Sequence, residues 1–138
     1  LAKTPATFSY NTPDGILRIA PEMLEGELAS RQGDLDKAVA HLERAVKIED
    51  AQVYTEPPDW YYPTRQALGA VLLQAGRAAE AEVVYWEDLR RHPGNGWSLY
   101  GLAQSLKAQG KAEPAARAEE RFKKAWANAD VTLSASRY

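Results

Sequence analysis

The 138-residue chain contains no cysteine, which excludes disulfides, thiolate metal sites and thiol nucleophiles. It has no apolar run approaching the ~18 residues of a membrane span. It also lacks an excess of either charge. Lys and Arg total 17 and Asp and Glu 19, leaving −2, so nothing marks a basic nucleic-acid footprint or an attraction to anionic membranes. Imidazoles are scarce too. His41 and His92 have no companion with metal-ligand spacing, and both read as solvated helix or loop side chains. Carboxylates such as Glu80, Glu82, Glu87, Asp88, Glu119 and Glu120 read as solvated helix faces. No glycine-rich phosphate loop follows a strand, and Ser98, Ser105 and the tail serines have no histidine to activate them. Nothing here implies an enzyme, a metal or a cofactor. What remains is 45% apolar and 26% charged, ordinary usage for one globular domain.

What the chain does have is a repeat. Leu68-Gly69 aligns with Leu102-Ala103 at a period of 34 residues, and with it Leu72 with Leu106, Gly76 with Gly110 and Ala81 with Ala115. Gly26, Gly33, Ala38 and Leu42 precede Gly69, Gly76, Ala81 and Tyr85 by 43, which is the period plus nine. The resulting organisation is a lead of 1–18, repeats 19–52, 62–95 and 96–129, an insertion 53–61, and a tail 130–138. Apolar spacing near 3.6 places two helices in each repeat. Gly33, Gly76 and Gly110 fall where a left-handed residue ends the first helix, while Asp34 and Asn95 suit the cap position of the next. Pro63 suits a first helical turn. The small residues Gly26, Gly69 and Ala103 sit mid-helix, where close approach of a neighbouring helix explains them.

Leu68-Gly69, Gly76, Ala81, Tyr85 and Pro93 in the middle copy resemble the tetratricopeptide repeat, and the likeness covers residues 19–129. It implies an all-α, right-handed solenoid of about three helix pairs, acting without catalysis as a protein–protein interaction scaffold. Departures are Asp50 at the closing proline, Asp88 at a small position, and Glu119 where Tyr85 stands one copy earlier. The chain looks like the C-terminal segment of a longer bacterial protein of this kind. Leu1 is not an initiator methionine, so the expectation is a processed or excised chain, with a cytoplasmic location.

The resemblance also implies that the first helix of each pair lines a concave groove binding an extended peptide. The corresponding positions are Met23, Glu27, Ser30 and Arg31, then Gln66, Ala70, Leu73 and Gln74, then Trp97, Tyr100, Gln104 and Lys107. Trp97 and Tyr100 would anchor the ligand or pack as scaffold. The amides of Gln66, Gln74 and Gln104 would pair with its main chain. Positions that clamp a C-terminal carboxylate in some relatives carry Met23, Glu27, Ala67, Trp97 and Gly101, which speaks against that ligand.

In the insertion, Pro57-Pro58 breaks the helical period, and Tyr54, Trp60 and Tyr61 form an aromatic rim that either meets a ligand or plugs the gap. The first helix is apolar over a wide arc including Leu17, Leu24 and Leu28, to be covered by residues 1–13, by upstream repeats or by a second copy. The last helix has a polar outer face, as a terminal repeat requires. The alternative to peptide binding is therefore a structural cap or self-association unit.

Overall fold

A computed structural model describes residues 10–137. Among these residues there is no strand, and seven helices follow in order: α1 (Pro13–Leu17), α2 (Ile19–Arg31), α3 (Leu35–Asp50), α4 (Thr64–Gln74), α5 (Ala78–Arg91), α6 (Gly96–Ala108) and α7 (Ala112–Ala125). Helices α2 to α7 are the six expected from the repeat. The short α1 is an addition. Thr12 caps it by accepting the Gly15 N–H at 3.1 Å, and Pro13 begins it, where the missing N–H costs no helical bond. The chain divides into two compact units, one up to Thr64 and one from Arg65 on.

In the first unit α2 packs along α3, and α1 rests on both. Ile16, Ile19, Met23 and Ala29 meet Ala38, Val39, Leu42 and Ala45 in the buried core. A β-carbon at Gly26 would lie 2.7 Å from the Leu42 side chain, so the glycine is what lets the two helices close. The turn between them needs Gly33 at φ +83°, a backbone state that a β-carbon disfavours. Asp34 then caps α3 by accepting the Lys37 N–H at 3.2 Å.

The irregular segment runs from Ala51 to Pro63, wider than the nine inserted residues, because α3 stops at Asp50 and α4 starts at Thr64, one residue after Pro63. The lead pins this segment. Buried Asn11 exchanges two hydrogen bonds with Val53, donating to its carbonyl and accepting its N–H, each at 2.8 Å. The same amide donates to Asp59 at 2.7 Å. A side-chain amide that mimics a backbone pair keeps the loop's polar groups satisfied.

The second unit contains α4 from Arg65 on, α5, α6, α7 and the tail. Helix α6 packs on both α5 and α7. Its pivot is Tyr85, fully buried on α5. A β-carbon at Gly69 on α4 or at Gly101 on α6 would fall on the Tyr85 ring. The ring therefore threads between these two helices. In the third repeat Ala103 holds the aligned small position, yet Gly101 is the residue the ring requires.

Candidate functional site

Asp88 is buried at the end of α5. It accepts from Ser98 Oγ at 2.5 Å, Asn95 Nδ2 at 2.7 Å and His92 Nδ1 at 3.2 Å. The departure from a small residue is thus matched by a set of donors that ties the α5–α6 turn. Asn95 also caps α6, accepting the Trp97 N–H at 3.1 Å. Ser98 is fully buried, and its hydroxyl is bonded to the Asp88 carboxylate rather than to the imidazole.

The expectation of two solvated histidines needs correction. His41 is half-buried and lies 2.7 Å from Glu22, whose same oxygen accepts from Arg44 Nε at 3.0 Å. Partial burial pushes the Glu22 pKa up, but the bonds from His41 and Arg44 outweigh it and hold it below 4.5. Their spacing, three on α3 and across to α2, is a helix–helix brace. No group of three or more His, Asp or Glu among the described residues could hold a metal ion.

The expected groove residues fall into the two units. On α2, Met23 is buried, Glu27 half-buried and Arg31 exposed, each one turn beyond the last. In the insertion, Tyr54 and Tyr61 are exposed, Tyr61 at 85%, whereas Trp60 is half-buried. The rings run in series: Trp60–Tyr61 at 6.2 Å and Tyr61–Tyr62 at 6.4 Å between centroids. The Tyr54 hydroxyl bonds to the Glu56 carboxylate, which pushes its pKa above 10.0.

In the second unit the α6 stripe meets α7. Tyr100 packs edge-on against Phe122 at 5.5 Å, and Trp97 against Trp126 at 5.5 Å. Phe122 in turn stacks on Trp126 at 5.7 Å. Lys107 pairs with Glu119 on α7, so the residue standing at the tyrosine position of the previous copy has become a surface ion partner. Gln104 and Leu73 are half-buried, and Ala70 is buried. Trp97 is set apart from Tyr100 because it also borders a cavity shared with Trp126, Leu133 and Arg137.

Those last two residues belong to the tail, which sequence reasoning assigned no role. Trp126 Nε1 donates to the Val131 carbonyl at 2.8 Å as the chain leaves α7. Leu133 and Ser136 are buried. Ser136 Oγ donates to the Gln66 carbonyl at 3.1 Å and lies 2.5 Å from the Tyr85 hydroxyl. One hydroxyl carries one proton, so Tyr85 is the donor in the second bond. Arg137 donates to Gln74 Oε1 at 3.0 Å. Two expected site residues, Gln66 and Gln74, therefore meet a polypeptide segment, and it is the chain's own. Nothing in the composition of the tail, a run of small and polar residues, signals this burial.

A family model described as tetratricopeptide repeat matches residues 22–44 and 64–85. The first stretch spans most of α2 and the start of α3, and the second α4 and the start of α5. These matches support a tetratricopeptide-type helical repeat. Neither the curated proteins nor the solved structures contain a match to the chain.

Proposed function

We propose that this chain is a non-enzymatic interaction module that holds an extended segment of another protein against helices α4 and α6. Tetratricopeptide repeats generally mediate protein–protein interaction, and two stretches of the chain match that repeat. The observation that carries the reading is local. The α4–α6 face already accommodates a non-helical segment through side chains on α4, α5 and the end of α7. Trp97 is the aromatic anchor, with Tyr100 behind it. The Gln74 amide, which accepts from Arg137, and the half-buried Gln104 amide pair with the ligand main chain. The Gln66 side chain is buried, and only its backbone carbonyl meets a segment. Desolvated main-chain groups must stay paired, and an amide can both donate and accept.

Screening the full chain against an immobilised peptide library tests this. Trp97→Ala is expected to weaken captured peptides by about 2 kcal/mol, roughly 30-fold, while circular dichroism stays helical. Unfolding of that variant would assign the ring to the scaffold. Unchanged capture would remove the anchor.

A second reading, self-association, has its own observation. Leu17, Leu24 and Leu28 on α1 and α2 are all exposed, Leu24 at 69%. Under this reading they form the contact with a second copy.

A further inference from the structure

The geometry points to the C-terminal tail as the resident ligand of the α4–α6 face. A competing segment would carry the same chemistry: an apolar residue, a serine or threonine three positions on, and an arginine directly after it. This rests on the interaction-module reading and names both its ligand class and its regulation.

The tail has little hydrophobic reason to bury itself. From Asp130 to Arg137 it reads Asp-Val-Thr-Leu-Ser-Ala-Ser-Arg, with two large aliphatic residues, and Val131 remains exposed. Yet Ser136 is only 2% exposed. What holds it is a donor–acceptor pair that the fold sets up in advance. The Tyr85 ring is locked between Gly69 and Gly101, which aims its hydroxyl at the tail. The Gln66 carbonyl takes the Ser136 proton on a lone pair that a helix leaves spare. A phenol donor beside a carbonyl acceptor fits one aliphatic hydroxyl. Alanine at this position would remove both bonds, and a bulky side chain would not enter.

The other contacts divide the labour. Trp126 holds Val131 through its backbone carbonyl, so that bond sets the path without reading a side chain. Leu133 faces the cavity bordered by Trp97 and Trp126, and Arg137 reaches the Gln74 amide. Leu133, Ser136 and Arg137 are therefore the positions that discriminate. Because the tail is joined to α7 by a few residues, its effective concentration at the face is on the order of millimolar. A free segment must overcome that, and the tail sets the threshold for binding.

The test uses the full chain and a labelled peptide with the sequence of residues 130–137. Ser136→Trp and, separately, Arg137→Glu displace the resident tail, and circular dichroism checks that each variant remains helical. The peptide is expected to bind both variants at least about tenfold more tightly than the unaltered chain, as release of an intramolecular competitor requires. Replacing the peptide's second serine by alanine is expected to abolish the gain. Equal binding to all three chains, or binding to none of them, overturns the inference. A library peptide that binds the unaltered chain and is not displaced by the tail peptide also overturns it, but leaves the interaction module standing. If no peptide of any sequence binds any of the chains, both readings fall together.

Discussion

At the scale of single residues, the second unit depends on what is missing from Gly69 and Gly101. Each stands where a β-carbon would meet the Tyr85 ring, and Tyr85 has no exposed side on which to yield. Gly101→Ala is expected to lower stability by about 1–3 kcal/mol, seen as a reduced melting temperature, whereas Gly94→Ala, which meets nothing within 4 Å, is not. Asp88 is the polar counterpart. Asp88→Ala would take the carboxylate acceptor from the buried Ser98 hydroxyl and from the Asn95 amide, a loss of about 1–3 kcal/mol in denaturant melts. If that variant melts like the parent, the donors around Asp88 are not holding the turn.

At the scale of elements, helix pairs are joined by polar braces as well as by apolar stripes. Glu22 on α2 takes bonds from His41 and Arg44 on α3, and Glu82 on α5 takes them from Lys111 and Gln109 beyond α6. Both carboxyls are held below 4.5, Glu82 chiefly by the Lys111 bond and Glu22 by bonds that outweigh its burial. A lowered folded-state pKa adds stability above the unfolded value and loses it as pH falls through the folded one. Glu82→Gln is therefore expected to lower stability at pH 7 and to flatten the decline below about pH 4.5. Since Lys111 is substantially exposed, the effect is under about 1 kcal/mol. Urea titrations at pH 7 and pH 3 would read it, and an unchanged difference between the two pH values would mean that the brace contributes nothing.

At the scale of the whole molecule, the first unit displays an apolar face and the second covers one of its faces with its own tail. Leu17, Leu24 and Leu28 lie on α1 and α2, while Ile16, Ile19 and Met23 on the same helices point into the core. If those leucines meet a second copy, light scattering will show mass rising with concentration, and Leu24→Glu will suppress the rise. A constant mass for the parent chain would leave self-association without support. No helix among the described residues is long and apolar enough to cross a membrane.

The 34-residue register, the glycines at helix ends and the caps at Asp34 and Asn95 were legible from the residues alone, because each is a local rule of spacing or backbone conformation. The same holds for the six repeat helices and for the glycine facing Leu42. The sequence could not show that Asn11 anchors Val53, that His41 braces Glu22, or that Glu119 turns outward to Lys107. Those pairs lie 12 to 42 positions apart and carry no period. The tail is the clearest case. Ser136 looks like any solvated serine until Tyr85 passes between two helices and presents a hydroxyl 51 residues away in sequence. Local preference decides which segments become helices, whereas only the packed fold brings a distant donor and acceptor close enough to bury a polar residue.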